Sequence, residues 1–443
     1  MDEPRREEDF HFLRTVKIGT FYIGSSAVDL LVSGVWNRVM IVDLGMAAWP
    51  VALLGALRYF LAPLSLWAGH RADTHPIRGS HRLAYIWIGR ALVLFSLPLI
   101  PLSTGLIANG LDYGWLLALL AFVMFGSGIL ISGPAFLALV FDSTSYNRRG
   151  LAISIVQFIL ILSFAFLPLV FARMMPTYDL EDFLRLSLII AVGAGLIWFF
   201  SVWREERPSK FEPRDDKGVR EEFSGILADK RARRYAVFLG ASAFFVFMQD
   251  AVMEPFGGDV FGLSVGETTR FNAFWGSGVL LGMVATILFT RRWRPDQQVG
   301  TTMWGLGLLA LPLIALGGSA WTSNLAMVRP LLVLFGIGVG IFTVGGVSLL
   351  MAMSVEAQAA AYLALWSVIQ LVSRGGGIAA GGLLRDAALA VTGSFASTYG
   401  LVFWVEAVGA LACIWLLKRA DVPGFVSKTG IVESSEPMGV AAD

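Results

Sequence analysis

GHRADTH, from Gly69 to His75, is a short polar stretch between two apolar runs. Each run has about the 20 residues that a helix needs to cross the hydrocarbon core of a bilayer. Because basic side chains collect in the cytoplasmic loops of membrane proteins, Arg71 indicates that this stretch faces the cytoplasm. The stretch therefore predicts two membrane helices joined by a cytoplasmic loop.

The composition extends this interpretation to the whole chain. Of 443 residues, 56% are hydrophobic, and the mean hydropathy is +0.69, as in an integral membrane protein. The apolar runs are longer than the alternating strands of a membrane barrel, so an all-α membrane protein is expected. Twelve runs are candidate transmembrane helices: 17–42, 48–69, 83–104, 114–141, 151–173, 183–203, 235–257, 268–290, 298–318, 326–353, 358–384 and 395–417.

Lysine and arginine are distributed unevenly among the predicted loops. Of 34 such residues, 25 lie in the N-terminal segment, the even-numbered loops and the C-terminal tail. Five lie at the odd-numbered loops, and the remaining four lie within the predicted spans. This bias predicts that both termini lie in the cytoplasm.

The charge and the cysteine content exclude several functional classes. A net charge of +1 indicates no nucleic-acid partner. The one cysteine, Cys413, lies in the last predicted span, so neither a disulfide framework nor a thiolate metal site is expected. The sequence contains no phosphate-binding loop, no nucleophile with a plausible base and no metal-spaced His/Cys set. We therefore expect no enzymatic activity and no metal site.

A charged stretch, residues 204–234, divides the predicted spans into two groups of six. Asp29 in span 1 lies opposite Asp250 in span 7, at an offset of about 220 residues. Two six-helix bundles with a cytoplasmic linker make up the major facilitator fold, which has its central site between the halves. Within the linker, residues 214–230 can form an amphipathic surface helix, although a solvated segment held to anionic lipid is the favoured interpretation. The expected domains are a cytoplasmic N-terminal segment 1–16, bundle 17–203, linker 204–234, bundle 235–417 and a cytoplasmic tail 418–443.

Glycine is concentrated in predicted spans 10 and 11. Small residues let membrane helices approach closely, so tight packing is the main expectation and flexible, rocking helices are the alternative. These glycines are Gly336, Gly338, Gly340, Gly345 and Gly346 in span 10, and Gly375, Gly376, Gly377, Gly381 and Gly382 in span 11.

Eight ionisable residues lie within the predicted spans. Such a group costs several kcal/mol in hydrocarbon unless it finds a partner or water. Four acids and four bases therefore predict ion pairs, and these residues are the candidates for a central site. They are Asp29, Arg38, Arg58, Arg90, Asp250, Glu254, Arg374 and Glu406.

Depth in the membrane predicts which of these residues form pairs. Asp29 and Arg58 lie at one level in adjacent spans, and Asp250 and Arg374 both lie near the middle of the membrane. The pairs have three open interpretations: they fix the register of the helices, they line a hydrophilic cavity for an ionic substrate, or an aspartate couples protons.

A further pair is expected to bridge the two halves on the outer side. Arg38 and Glu254 lie toward the outer ends of spans 1 and 7. In the predicted architecture these two spans face each other across the pseudo-twofold axis. We therefore expect an ion pair between Arg38 and Glu254.

The even-numbered loops contain a candidate conformational latch. Asp73 can accept hydrogen bonds at the N-terminus of a neighbouring helix, where the helix dipole favours an anion. Basic residues of these loops are expected to bridge to Asp73 or Asp142. The same contacts would form a latch in a transporter and a clamp in a structural protein. The predicted group is Gly69, Arg71, Asp73, Asp142, Arg148 and Arg149.

Three stretches of this sequence resemble one protein family. NRVMIVDLG (residues 37–45), GHRADTH (69–75) and QDAVMEPFGG (249–258) are similar to the PucC/LhaA proteins of phototrophic bacteria. These proteins form the bacteriochlorophyll-delivery branch of the major facilitator superfamily. The similarity runs over residues 12–419; its first and third stretches are fairly specific to the branch, whereas the second marks the superfamily.

The resemblance implies a role in the assembly of light-harvesting antenna complexes. The protein would deliver or chaperone bacteriochlorophyll to antenna polypeptides in the photosynthetic (cytoplasmic) membrane of a bacterium. It implies antenna polypeptides and pigment-synthesis enzymes as partners. Two alternatives remain open: an ion-coupled small-solute transporter of the major facilitator type, and a structural subunit of a photosynthetic complex.

Pigment handling requires a flat apolar slot and an axial ligand for magnesium. All four histidines lie on the predicted cytoplasmic side and outside the predicted spans. We therefore expect transient binding of bacteriochlorophyll rather than a tightly bound cofactor. The candidate ligands within the spans are Gln157, Gln249 and Asn272.

Overall fold

The computed structural model describes residues 11–77, 79–144, 148–206, 219–354 and 359–429. In these ranges, twelve helices are long and apolar enough to cross a membrane, as predicted. We number them spans 1 to 12. Their bounds are Phe12–Asp43, Ala48–Thr74, Leu83–Ala108, Tyr113–Asp142, Arg149–Met174, Leu180–Val202, Lys230–Phe261, Val265–Thr290, Asp296–Thr322, Leu325–Ala352, Ala361–Thr392 and Phe395–Ser427.

The spans fold into two bundles, each around its own apolar core. One core is built mainly from spans 1 to 6 and the other mainly from spans 7 to 12. The cores interlock at the interface, because Ala52, Ala56 and Tyr59 of span 2 belong to the second core and Val265 of span 8 belongs to the first. The predicted all-α fold of two six-span halves is confirmed, while the proposed domain boundaries stay a prediction.

The two halves are in close contact at the odd-loop face, the end of the molecule that carries the odd-numbered loops. Here Gly382 of span 11 lies against Ala48 of span 2. The Gly266 N–H, at the start of span 8, donates to the Pro176 carbonyl after span 5 at 3.1 Å. Spans 2 and 11 and spans 5 and 8 therefore join the halves at this end, opposite the even-loop face.

Spans 1 and 7 depart from regular α-helix near the centre of the molecule. Span 1 contains π-helical turns at Leu30–Val35 and Val39–Asp43. Span 7 narrows to a 3-10 turn at Met248–Ala251 before its last helix, Met253–Phe261. Pro255 explains this break, because proline lacks an N–H and its ring clashes with the carbonyl four residues earlier. Irregular turns of this kind are frequent at functional sites.

Span 2 consists of two helices, Ala48–Phe60 and Pro63–Thr74. Pro63 occupies the first turn of the second helix, where the missing N–H leaves no hydrogen bond unmade. The expectation that GHRADTH forms a loop is wrong, because Gly69 to Thr74 are the last turns of this helix. Polar residues can continue a membrane helix into the interfacial region. A boundary predicted from hydropathy alone was therefore too early in the sequence.

The segment before span 7 forms the helix Val219–Ala228. Its Ile226 is 3% exposed and belongs to the core of the second half. The favoured expectation of a solvated linker is therefore wrong for this segment, where the alternative, an amphipathic helix, is confirmed. Residues 207–218 of the linker lie outside the described residues.

The outward faces of the spans expose large apolar side chains. Phe289, Trp304 and Val391 are 82%, 78% and 87% exposed. Contiguous apolar surface of this kind is unfavourable in water, but it is the normal lipid-facing surface of a membrane helix. The chain is therefore a multi-pass membrane protein surrounded by a lipid bilayer.

Candidate functional site between the two halves

A cavity of about 520 Å³ lies between the halves, beside the irregular turns of spans 1 and 7. Most of its wall is apolar, and six of the eight predicted buried charges line it. The exceptions are Arg38 and Glu406. The six that line the cavity are Asp29, Arg58, Arg90, Asp250, Glu254 and Arg374.

Two ion pairs, one from each half, meet at the middle of this cavity. Asp29 pairs with Arg58, and Asp250 Oδ2 lies 2.9 Å from Arg374 Nη2. Both predicted pairs are confirmed. The Tyr59 ring lies between them, with its centroid 4.7 Å from the guanidinium carbon of Arg58 and 5.1 Å from that of Arg374. Tyr59, which was not predicted as a site residue, connects the two pairs into one polar layer.

The predicted Arg38–Glu254 bridge is wrong. Arg38 Nη1 lies 2.8 Å from Asp43, and its Nη2 donates to the Leu263 carbonyl at 2.8 Å. Glu254 instead accepts from Asn272 Nδ2 at 2.5 Å. The π-helical turns change the rotational phase of span 1, since each residue of a regular α-helix turns by about 100°. Arg38 still connects the halves, but through the backbone of residue 263.

Pairing of all four acids with all four bases is also wrong. Arg90 forms no ion pair with any described residue; its guanidinium carbon lies 4.4 Å from the ring centroids of both Phe21 and Trp198. Glu406 is fully buried in span 12, and its carboxyl oxygens accept no hydrogen bond from a described side chain. Equal numbers of acids and bases did not imply neighbours, because Arg90 lies in span 3 of the first half and Glu406 in span 12 of the second half.

Two of the three candidate pigment ligands line the cavity. Gln249 is 4% exposed, and its Oε1 accepts no hydrogen bond from a described residue. Asn272 also lines the cavity, but its Nδ2 donates to Glu254. Gln157 is exposed and does not line the cavity, so its role as a pigment ligand stays a prediction. Its depth in the membrane was predictable from the sequence, but the face of span 5 on which it lies was not.

The candidate latch at the even-loop face is formed by Arg82, which was not among the predicted latch residues. Arg82 pairs with Asp73, and its Nε lies 3.0 Å from Asp142 Oδ2. The expected bridges from other bases are wrong: none of them forms an ion pair with Asp73 or Asp142. Those bases are Arg71, Arg148 and Arg149. Arg82 precedes span 3, and this position lets it reach both aspartates.

Glu206, after span 6, binds the start of span 3. Its carboxylate accepts from the Ser80 hydroxyl at 2.6 Å and from the backbone N–H groups of His81, Arg82 and Leu83 at 2.6–3.2 Å. Burial raises the pKa of Glu206, but these hydrogen bonds outweigh it, so the pKa is lower than usual. The helix dipole also favours an anion at this position. This cap was not predicted from the sequence because its residues are distant in the chain.

We expect Glu206→Gln to lower the unfolding temperature at neutral pH. The folded-state pKa lies below the unfolded value of about 4.3, so the carboxylate stabilises the fold above that pH and loses this effect as the pH falls through the folded pKa. The wild-type advantage should therefore disappear in acid. Thermal unfolding in detergent from about pH 8 down to about pH 3, which is below the unfolded value, measures it.

The matched control for that variant is Glu181→Gln, which removes a carboxylate that is 73% exposed. It should leave the unfolding temperature almost unchanged at every pH. Equal unfolding temperatures for wild type and Glu206→Gln at neutral pH would contradict the assigned role of Glu206.

A second polar network, also missed, closes the odd-loop face. Arg385 Nη2 lies 2.6 Å from Asp259 Oδ2, and the Tyr399 hydroxyl donates to the same oxygen at 2.6 Å. Asp386 pairs with Arg385 and accepts from the Trp49 backbone N–H of the other half at 2.8 Å. The network therefore connects spans 2, 7, 11 and 12 at the end where the halves meet.

The chain is similar along most of its length to two curated bacterial proteins. It is 27% identical over 431 residues to the bacteriochlorophyll synthase 44.5 kDa chain of Rhodobacter capsulatus, covering 95% of this chain and 96% of that one. It is 28% identical over 402 residues to protein PucC of Rhodovulum sulfidophilum, covering 86% of each.

Solved structures share the fold of the whole chain. A bacterial homologue of the human lysosomal transporter Spinster, in an inward-facing unoccupied conformation, has a TM-score of 0.66 at 15% identity, covering 96% of this chain and 98% of that one. An inward-facing bacterial homologue of the iron transporter ferroportin has a TM-score of 0.63 at 16% identity, covering 93% and 99%. The predicted major facilitator fold is confirmed. The family model described as PUCC protein matches residues 35–424, and the chain belongs to this family.

Proposed function

We propose that the protein is a light-harvesting complex assembly factor that delivers or chaperones bacteriochlorophyll to antenna polypeptides in the photosynthetic membrane. Membership of the PUCC family and the name of the Rhodobacter capsulatus relative support a role in photosynthesis. The observation that carries the proposal is the largely apolar cavity between the halves. Its volume of about 520 Å³ lies within the range of sites that bind small organic molecules.

The wall of this cavity supplies the contacts that a chlorin ring requires. Aromatic side chains from both halves line it, namely Tyr59, Phe164, Phe247 and Trp275. Gln249 provides a carbonyl oxygen that accepts no hydrogen bond from the described residues, and an oxygen ligand suits a magnesium ion. Since no histidine is among the described residues that line the cavity, the pigment would be held weakly enough to be handed on, with bacteriochlorophyll as a transient ligand.

Deletion of the coding sequence is expected to remove or strongly reduce the antenna bands in near-infrared absorption. If antenna polypeptides receive their pigment through this protein, they cannot assemble without it. Complementation with the wild-type chain should restore the bands. Normal antenna absorption in the deletion strain, with no related protein expressed, would refute the proposed function.

Replacement of Gln249 by leucine is expected to weaken binding of a magnesium chlorin about tenfold, equivalent to about 1.4 kcal/mol. Binding of the metal-free chlorin should not change, because it has no axial ligand to lose. Titration of the purified protein with both pigments, followed by chlorin fluorescence, measures the difference. Gln157→Leu, on the exposed face of span 5, is the matched control. An equal effect on both pigments would mean that Gln249 is not the ligand.

A second candidate function is an ion-coupled small-solute transporter. The two ion pairs that face the cavity favour it, as do the transporters that share the fold. This function predicts saturable, gradient-driven uptake that Asp29→Asn or Asp250→Asn abolishes. An assembly factor predicts no such uptake in liposomes.

A structural subunit of a photosynthetic complex is the remaining alternative. It predicts stoichiometric co-purification with that complex, whereas an assembly factor should associate transiently with antenna polypeptides and pigment-synthesis enzymes. We also propose that the even-loop face and both termini lie in the cytoplasm, as the distribution of Lys and Arg indicates. Reporter fusions at the two ends test this orientation.

A further inference from the structure

Arg90 is a buried cation of the central cavity that lacks an acidic partner in the described part of the chain. It is 4% exposed, lines the cavity, and makes neither an ion pair nor a hydrogen bond with any described residue. Its guanidinium lies 4.4 Å from the ring centroids of Phe21 and Trp198. Buried arginines are normally paired, so this one requires an explanation.

The two rings satisfy only part of the bonding capacity of the guanidinium. Cation–π contact stabilises the charge through the faces of the rings, but the five N–H donors lie in the guanidinium plane and need acceptors. Arg90 Nε is buried without an acceptor among the described residues. The aromatic contacts hold the side chain in place while its donors stay available to a ligand.

No acid in the cavity can serve as the missing partner. Tyr22, which interacts electrostatically with Arg90, lies twelve residues before Gly34, the residue of span 1 that Glu254 contacts. At a rise of 1.5 Å per residue, the positions at which Arg90 and Glu254 approach span 1 lie about 18 Å apart along its axis. The two cavity aspartates already pair with other arginines. One end of the cavity, toward the even-loop face, therefore carries an uncompensated positive charge.

Most of the cavity wall is apolar, with side chains such as Leu130, Leu160 and Ile161. We propose that Arg90 binds the single anionic group of an otherwise apolar ligand, and that this group is a carboxylate. This inference rests on the proposed function for the identity of the apolar body and extends its ligand class. The ligand would be a chlorin with a free propionate, the unesterified form of the pigment, whereas bacteriochlorophyll itself carries this propionate as an ester. Tyr22, which lines the same end, can donate its hydroxyl to the same anion.

Two metal-free probes isolate the carboxylate: pheophorbide a and its methyl ester differ at this group and have no magnesium to ligate. The full chain, in nanodiscs of zwitterionic phosphatidylcholine, is titrated with each probe and followed by fluorescence anisotropy. A charge-assisted hydrogen bond predicts that the acid binds at least about tenfold more tightly than the ester. Equal affinities in the wild type would overturn the proposal without the use of any variant.

Arg90→Gln should reduce the affinity for the acid to that for the ester and leave the ester unchanged. Arg90→Lys, which keeps the charge, should recover part of the difference. Arg329→Gln is the matched control, because that arginine also lies over an aromatic ring, Phe274 at 5.9 Å, but outside the cavity. If the folded Arg90→Gln protein bound the acid probe as tightly as the wild type does, the proposal would also be overturned.

Two further measurements distinguish this inference from a failure of the pigment function and from lipid binding. If neither chlorin binds, the proposed pigment function fails, and benzoate then tests Arg90 alone. Benzoate should raise the unfolding temperature of the wild type but not that of Arg90→Gln. Equal shifts in the two proteins would overturn the inference. If nanodiscs with phosphatidylglycerol abolish the preference for the acid in the wild type, the anion at Arg90 is a lipid phosphate, and the carboxylate assignment is overturned.

Discussion

Arg385→Gln is expected to lower the free energy of unfolding by about 3–5 kcal/mol. Arg385 and Asp259 are only 6% and 7% exposed, so the variant leaves a buried carboxylate without its cation. The cost comes mainly from this unpaired charge rather than from the lost attraction. The fraction of protein that stays monodisperse in detergent after heating, measured by gel filtration, reports the change.

An exposed ion pair provides the matched control for this variant. Arg185 and Glu181 are 65% and 73% exposed, so Arg185→Gln should cost at most about 0.5 kcal/mol. Removal of both buried charges, in Asp259→Asn with Arg385→Gln, should recover part of the stability because no uncompensated charge remains. If Arg385→Gln were as stable as Arg185→Gln, the buried network would not hold the odd-loop face together.

Gly336→Ala is expected to lower the free energy of unfolding by about 1–3 kcal/mol, which is the usual cost of overpacking. A Cβ on Gly336 would lie 2.9 Å from the Val279 backbone nitrogen and 3.0 Å from Gly278 Cα. Both atoms belong to the backbone of span 8, so no flexible side chain can move aside. Spans 8 and 10 must therefore separate, and a leucine at the same position should prevent folding.

Gly346, in the same span, is the matched control because a Cβ there would meet nothing within 4 Å. Gly346→Ala should be neutral or slightly stabilising, since alanine favours the helix more than glycine does. A comparable loss of stability in both variants would show that helix flexibility, rather than close packing, explains the glycines of span 10.

The candidate site was predictable where depth alone decides the outcome. Asp29 with Arg58 and Asp250 with Arg374 were predicted as pairs because each pair lies at one level of the membrane, where an unpaired charge is unfavourable. The prediction failed for Arg38, because the π-helical turns before it alter the face on which it lies. Sequence periodicity is read with the 3.6 residues per turn of a regular α-helix, so it does not reveal where π-helical turns occur.

By itself, the sequence determined the twelve spans, their grouping into two halves and the depth of each buried charge. These properties follow from local run length and from the cost of charge in hydrocarbon, which are one-dimensional along the chain. The tertiary structure alone decided which side chains face the cavity, as Gln249 does and Gln157 does not. It also decided long-range contacts such as the cap that Glu206 forms on span 3. The rotation of each helix is set by packing against its neighbours, and hydropathy carries almost no record of that packing in a helix that is apolar on every side.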